Sequence, residues 1–420
     1  MTWQLRHGHV LDALREMSDQ SVHCVVTSPP YWGLRSFGTA PQIWGSGWVG
    51  ELGSEPTIQL YIEHLVDVFA EVKRVLRNEG TLWLNIGSTY SGSGKGPTGW
   101  NGIGDQEKRQ GFSSAAAGGD SSLSRGPQQS EHHNPLMAAF YSVLAHYGSI
   151  STPKRLLAIP ELVQIALELD GWIVRSDIAW AKLTPMPESV RDRPTSAWEH
   201  IFLLSKSPRY FYDAEAVRQS NTKGMVERFK HPKTRAVTKK QLQRVASVDR
   251  ANPWALNADS ESGANLRNFW LLGPERFPGA HFATFPTEIP RRAILAGTSA
   301  YGCCASCGAP WQRVIERTRV GSYHAHQHDG VQYGLLQDGH GPTSTYTSAV
   351  TTGWEPTCKC ECTEVRPCIV LDPFAGSGTS LFVAEELGRD SIGIELSIPY
   401  MELAKKRLRG ARSPLPDFVV

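Results

Sequence analysis

No stretch of this 420-residue sequence approaches the about eighteen consecutive apolar residues of a membrane-spanning helix, so none is expected. The first residues, MTWQLRHGHVLDALREM, lack a basic segment followed by an apolar run, and a secretory leader is not expected either. An excess of one charge is also missing. Lys and Arg (43) nearly match Asp and Glu (41), so a whole-chain charge of +2 names no partner and only a local concentration can. Cysteine is scarce outside one region: of eight, seven fall between Cys303 and Cys368. That clustering suits a metal site in a reducing compartment better than disulfides spread through a secreted fold. The expectation is a cytoplasmic protein without membrane partners. There is no internal repeat, and no Gly-Lys-Ser/Thr for a phosphate-binding loop.

What is present is a chain long enough for two or three structural units. Val10 to Met17 has helical spacing, and His23-Cys24-Val25-Val26-Thr27 is a short apolar strand that Pro29 and Pro30 must stop. Ile58, Tyr61, Ile62, Leu65, Val68, Phe69, Val72, Val75 and Leu76 form a one-sided stripe at helical period. Asn78-Glu79-Gly80 then reads as a stop before the buried strand Thr81 to Ile86. Strand, helix, strand in this order predicts a parallel α/β sheet. Residues 91–135 turn to Gly, Ser, Gln and Lys, which bury too little apolar area to offset ordering, and a flexible loop is expected. Regular structure resumes with a helix over Leu162 to Leu169 and strands at Trp172 to Trp180 and Ile201 to Leu204.

The C-terminal quarter is α/β again. Ile369 to Leu371 reads as a strand, Asp372-Pro373-Phe374-Ala375-Gly376-Ser377-Gly378-Thr379 as a glycine turn, and Ser380 to Leu387 as a helix before the strand Ser391 to Ile394 and Glu395. Glycines let backbone approach a ligand, and an acid at the end of the next strand takes ribose hydroxyls. Asp372 and Glu395 are 23 residues apart, near the usual interval for that pair. A short Gly-x-Gly by itself also marks many purely steric turns. The second glycine is followed by Thr379-Ser380, which departs from the dinucleotide fingerprint.

Thr27-Ser28-Pro29-Pro30-Tyr31-Trp32 places polar and aromatic groups where a sheet strand ends, the crevice in which ligands bind. A ring-conjugated exocyclic amine is a poor nucleophile, so a site that makes it attack an electrophile must accept its N–H groups. Ser28 Oγ and the Pro29 carbonyl are suited to that, and Tyr31 to stacking on a base taken out of the helix. Alone, such a segment reads equally as a proline turn with a packed aromatic. Covalent attack on a ring would need a thiolate, usually in a Pro-Cys pair. Pro367-Cys368 is such a pair but sits before the strand that leads into the glycine turn, so Cys368 and Cys24 are read as buried strand residues.

With both motifs in view, the chain resembles the amino-group DNA methyltransferases. TSPPYWGLR resembles their catalytic motif and LDPFAGSGTS their cofactor motif, and catalytic motif first with cofactor motif last resembles the circularly permuted β class, of phage, prophage or restriction-modification type. RVLRNEGTLWLNIGSTY, DGWIVRSDIAWAKLTPMPESVRDRPTSAWEHIFLLSKS and His281-Phe282-Ala283-Thr284-Phe285-Pro286 extend the likeness over most of the chain. The resemblance implies that Ser28, Pro29, Pro30 and Tyr31 are catalytic or hold the base. It also implies that Asp372, Phe374, Ala375, Gly376, Gly378, Thr379, Ser380 and Glu395, with Phe285 and Pro286, hold S-adenosylmethionine. Serine at the head of the motif accompanies N4-cytosine methylation more often in the family, with N6-adenine methylation the alternative. Methylation of RNA or of a protein amide, and a DNA-binding protein that has kept an inactive methylase fold, are more distant readings. The resemblance also admits a homodimer and a companion restriction endonuclease.

Residues 216–250 hold ten Lys and Arg against Glu227 and Asp249, a local balance of +8 between the two halves, where the family carries target recognition. Arg228, Lys230, Lys233, Arg235, Lys239 and Lys240 are the expected phosphate contacts on duplex DNA, although a solvated charged loop has the same composition. Cys304-Ala-Ser-Cys307-Gly resembles a zinc knuckle that Cys358-Lys-Cys360 would close, with Cys303 and Cys362 near enough to replace a neighbour. His324, His326 and His328 read as solvated loop side chains. The expected fold is thus a doubly wound, Rossmann-like, circularly permuted α/β sheet with an inserted recognition region and a small zinc element. Its parts are 1–205 (catalytic half), 206–275 (target recognition), 276–300 (cofactor-pocket helix segment), 301–362 (cysteine-rich insert) and 363–420 (S-adenosylmethionine-binding half).

Overall fold

The computed structural model describes residues 2–34, 37–91, 135–150, 152–219, 264–273, 275, 285–323 and 344–410. Their main strands are β1 (Trp3–His7), β2 (Val22–Thr27), β3 (Leu76–Ile86), β4 (Ile173–Lys182), β5 (Trp198–Ser205), β6 (Phe269–Leu272), β7 (Trp311–Tyr323), β8 (Ser344–Pro356), β9 (Ile369–Asp372) and β10 (Asp390–Glu395). The helices are α1 (Val10–Arg15), α2 (Ile58–Val75), α3 (Pro135–Ser149), α4 (Ile159–Leu169), α5 (Glu288–Gly297), α6 (Thr379–Glu386) and α7 (Ile398–Gly410). No described helix is long and apolar enough to cross a membrane.

By contact the chain divides into two compact units. One comprises Met1–Tyr212, Asn268–Pro310 and Cys360–Val420, the other Asp213–Arg267 and Trp311–Lys359. The first is built on an eight-stranded sheet in the order β1-β10-β9-β2-β3-β5-β4-β6. The two strands from the C-terminal end of the sequence thus lie between the first two, with β9 paired to both β10 and β2. From β1 to β3 all neighbours are parallel, as expected from the strand-helix-strand pattern. The sheet as a whole is mixed, because β5 runs antiparallel to both β3 and β4. No crossover helix separates β4 from β5, so the chain returns alongside the strand it has just left.

The apolar patterns form the elements expected of them. Thr57 caps α2 by accepting the Leu60 N–H, and its stripe from Ile58 to Val75 is buried. Truncating one of these fully buried side chains, such as Phe69, costs about 3–5 kcal/mol. Every residue of β2 is buried, as a strand covered on both faces requires. Asn78-Glu79-Gly80 corrects the expected stop: these residues lie inside β3, where Val22 pairs with Leu76 but Cys24 with Thr81, so they form an irregularity within the ladder. Gly80 is needed there, since a Cβ would lie 2.8 Å from the His23 carbonyl oxygen.

The second unit contains a ribbon of β7 and β8, thirteen residues each, paired antiparallel with irregularities at Val314/Ile315 and Arg319/Gly321. Arg313 bonds the Asp213 carboxylate at 2.8 Å and lies over the Trp354 ring at 4.5 Å. The ribbon takes in residues 321–323 and 344, the ends of the Gly- and His-rich stretch between the two cysteine pairs. Its Thr, Tyr, Val and Trp favour strand, whereas its polarity on both faces hides the alternation that usually announces one. The expected loop over 91–135 lies outside the described residues apart from its two ends.

Candidate active site

Two sequence motifs more than three hundred residues apart meet at neighbouring strand ends. β2 ends at Thr27 and β9 at Asp372, with Val25 paired to Leu371. The Thr27 hydroxyl donates to Asp372 Oδ1 at 2.7 Å, and the Phe374 N–H donates to the same oxygen at 3.1 Å. Ser380, in α6, donates to Asp372 Oδ2 at 2.8 Å and also reaches the Val26 carbonyl oxygen at 3.1 Å. Asp372 therefore joins the end of the SPPY strand to the glycine turn. Burial raises its carboxyl from 3.8 to about 6, against the lowering effect of these three donors.

The turn after β9 needs its glycines. Gly376 and Gly378 have φ of +51° and +76°, where a side chain is strained. A Cβ on Gly378 would sit 3.0 Å from the Ala404 Cβ of α7, whereas one on Gly376 would meet nothing nearer than the Phe374 carbonyl oxygen at 4.0 Å, so its open side leaves backbone approachable. Glu395, half-buried at the end of β10, accepts the Gly376 N–H at 2.8 Å and the Ser397 N–H at 2.7 Å. Ala375, Thr379 and Ser380 are buried, while Phe374 and Gly376 are half-buried. Phe285 is half-buried and Pro286 is buried just ahead of α5. Residues 281–284, and the six basic residues from Arg228 to Lys240 expected to contact DNA, lie outside the described residues.

At the SPPY turn, Ser28 donates to the Tyr31 hydroxyl at 3.3 Å, and Tyr31 reaches Glu199 Oε2 at 2.8 Å and Asn85 Oδ1 at 3.1 Å. The Asn85 amide donates to the same Glu199 oxygen at 3.2 Å and to the His200 carbonyl at 3.0 Å, and Lys182 pairs with the other Glu199 oxygen. Burial, and after it the Glu199 carboxylate, push the Tyr31 phenol well above its usual range, so it stays protonated. Gly87 makes room for the ring, because a Cβ there would lie 2.8 Å from Tyr31 Cε2.

A second buried group braces the turn from outside. Tyr61 donates to the Pro30 carbonyl at 2.8 Å, Trp32 Nε1 to the Glu55 carbonyl at 3.0 Å, and the Gly33 N–H to the Gly53 carbonyl at 2.8 Å. The fully buried pair Glu55 and His64 is held at 3.0 Å, with Ser46 2.9 Å from the other ring nitrogen and Trp44 stacked on the imidazole. Asn85, Lys182, Glu199, Glu55 and His64 carry no short motif. The available signal is a polar residue inside an apolar segment, such as Asn85 in TLWLNIG or Glu199 in SAWEHIFLL.

The cysteines separate into two groups. In the sheet unit, the thiols of Cys304, Cys307 and Cys360 lie within 4.8 Å of one another. Cys358 precedes Cys360 by two residues. Cys303 does not join them: it lies within 4.8 Å of His23 and Cys368, all three buried. There the His23 ring nitrogens meet the Gly308 carbonyl at 2.9 Å and the Ile369 N–H at 3.0 Å, which leaves neither for a metal. Cys362 reaches the Glu364 carbonyl. Cys24 is buried in β2 and its thiol is pushed up to about 12 by burial, which disfavours a thiolate nucleophile. Cys368 is buried one residue ahead of β9.

The chain is similar to known proteins over most of its length. The DNA methylase family model, N6_N4_Mtase, matches residues 22–303 and 366–406, so the match is interrupted over the cysteine-rich insert. The type II methyltransferase M.Cfr9I of Citrobacter freundii is 31% identical over 406 residues, covering 97% of this chain and 87% of that protein. M.SmaI of Serratia marcescens is 30% identical over 401 residues, covering 96% and 89%. Among solved structures, PvuII DNA methyltransferase (cytosine-N4-specific) is 13% identical and aligns over 100% of this chain and 89% of that one with a TM-score of 0.48. The chain belongs to the N4/N6 amino-methyltransferase family of DNA methylases of restriction-modification type, and is an S-adenosylmethionine-dependent DNA methyltransferase.

Proposed function

We propose that this enzyme methylates the exocyclic N4 of cytosine in duplex DNA, acting on a base flipped out of the helix and without a covalent enzyme intermediate. The observation that carries this reading is the Thr27–Asp372 bond, which sets the base-directed SPPY turn beside the glycine turn. Ser28 at the head of the motif supports cytosine over adenine through the family tendency, and N6-adenine is the alternative product. Ser28 Oγ and the Pro29 carbonyl accept the amine N–H groups, Pro30 fixes the turn, and the Tyr31 ring offers a face for the base.

The residues fit S-adenosylmethionine: the open backbone at Gly376, the carboxylate of Glu395 and the half-buried Phe374 form a cradle suited to an adenosine. When bound, this cofactor supplies an electrophilic sulfonium methyl. Glu395 would accept the ribose hydroxyls through lone pairs left beside its backbone bonds, with Phe285 and Pro286 on the same pocket. Asp372 has a different part, since its oxygens already take three donors. It positions the turn.

We read the chain as a circularly permuted, doubly wound methyltransferase of the β class. Residues 206–275 are assigned to target recognition on the strength of their charge, and the self-association and companion endonuclease rest on the likeness to type II relatives alone. A DNA substrate and reduced thiols fit the cytoplasm. Cys304, Cys307, Cys358 and Cys360 are proposed to hold one structural zinc, because two closely spaced cysteine pairs offer the four thiolates that a tetrahedral structural site takes. The function is tested by nucleoside mass spectrometry of duplex DNA incubated with the enzyme and labelled S-adenosylmethionine. N4-methylcytosine is expected, N6-methyladenine would reverse the base assignment, and full activity of Tyr31→Ala would remove SPPY from the site.

A further inference from the structure

The hydrogen bonds around Tyr31 have a direction. Glu199 pairs with Lys182 through Oε1, and its Oε2 accepts the Tyr31 hydroxyl proton at 2.8 Å. With its single proton committed, the Tyr31 oxygen serves Ser28 as an acceptor, and the Ser28 hydroxyl donates to it. Ser28 then presents only lone pairs on its other side. That is the polarity a nucleophilic amine requires, since an N–H must be accepted and a hydroxyl proton aimed at nitrogen would occupy the pair that attacks.

We propose that Glu199 is a positioning residue that sets the direction of the Ser28-to-Tyr31-to-Glu199 chain and so makes Ser28 an acceptor toward the target amine. The proposal rests on the reading of Ser28 as the group that receives that amine. Lys182 fixes the sense of the carboxylate by pairing with Oε1, and the Asn85 amide, anchored to the His200 carbonyl, donates to Oε2. These two neighbours make Glu199→Gln informative. Lys182 draws the glutamine carbonyl, which leaves the glutamine NH₂ facing both the Asn85 NH₂ and the Tyr31 hydroxyl, with the Tyr31 oxygen and Asn85 Oδ1, 3.1 Å from it, as the acceptors within reach. The Tyr31 oxygen then accepts the glutamine N–H, its proton turns to Asn85 Oδ1, and Ser28, competing with that N–H for the same oxygen, loses its fixed direction.

The test uses the full-length enzyme with duplex DNA and S-adenosylmethionine, and compares wild type, Glu199→Gln, Tyr31→Phe, the double variant and Ser28→Ala. Glu199→Gln and Tyr31→Phe are each expected to lower kcat on the order of 10- to 100-fold, the range for a lost hydrogen bond to a charged group, with KM for S-adenosylmethionine unchanged. In the Tyr31→Phe background, Glu199→Gln is expected to cost less than about twofold more, because the chain is already cut. Wild-type kcat in either single variant overturns the proposal, as does full additivity in the double variant. Tyr31→Phe keeps the aromatic ring, so the proposal remains testable if Glu199→Gln fails to fold. Full activity of Ser28→Ala would overturn the underlying site assignment instead, whatever the other variants show.

Discussion

Replacing Asp372 by Asn is expected to stabilise the enzyme above neutral pH and to change little in acid. Asp372 is fully buried and its carboxyl is raised from 3.8 to about 6. Because the folded value lies above the unfolded one, the folded state binds the extra proton between about pH 4 and 6. The stability this group contributes is fully present below that window and is lost as pH rises through it. About two pKa units correspond to about 3 kcal/mol. Asn avoids the ionisation cost and keeps an Oδ1 for the Thr27 hydroxyl and the Phe374 N–H, while Ser380 retains the Val26 carbonyl as acceptor. The urea midpoint of Asp372→Asn should therefore track wild type near pH 4 and exceed it by a gap that opens between pH 4 and 6 and is then level to pH 8. A gap that stays constant over this range, or a wild type that gains on the variant as pH rises, would refute the assignment of a buried, charge-bearing Asp372. Asp372→Ala should lose stability at every pH, since it leaves the Thr27 hydroxyl and the Phe374 N–H without their acceptor.

The two glycines of the turn after β9 should respond differently to alanine. Gly378→Ala combines a strained φ with a close Ala404 contact and should cost about 1–2 kcal/mol of stability, seen as a lower melting temperature. Gly376→Ala adds a methyl to the open side, and its main effect should be weaker S-adenosylmethionine binding by calorimetry; unchanged affinity would place the cofactor elsewhere. Elemental analysis of the purified enzyme should find about one zinc per chain, and Cys307→Ser should lower both zinc content and melting temperature. A metal-free wild type with the same stability as the zinc-treated protein would reduce the cluster to free thiols.

Much of the fold was legible because local pattern and tertiary burial agree. The stripe of α2 and the apolar run of β2 leave few other ways to bury those residues. The paired motifs were legible for a different reason: a proline pair ending one strand and a glycine turn ending another constrain the backbone whatever surrounds them. Where sequence reasoning failed, non-local pairing prevailed over local composition. Asn78-Glu79-Gly80 resembles a helix stop but is absorbed into β3 as an irregularity against β2. The polar ribbon of β7 and β8 gains its order from cross-strand bonds that no single segment announces. Cys303, adjacent to Cys304, faces a different cluster because neighbouring residues of an extended chain point to opposite sides.

By itself the sequence determined the chemistry on offer. It supplied a serine, two prolines and a tyrosine at one strand end, two glycines and two acids at others, and the helices and strands that present them. Only the tertiary structure decided which of these groups meet. Thr27 touches Asp372, and Tyr31 touches Glu199, because the order β10-β9-β2-β3-β5 brings the ends of distant strands side by side. Sheet order is set by which long-range pairings bury the most surface for the loops they close, a sum over the whole chain that no local pattern contains. The direction of the hydrogen-bond chain from Ser28 through Tyr31 to Glu199 comes into being when those strands are neighbours.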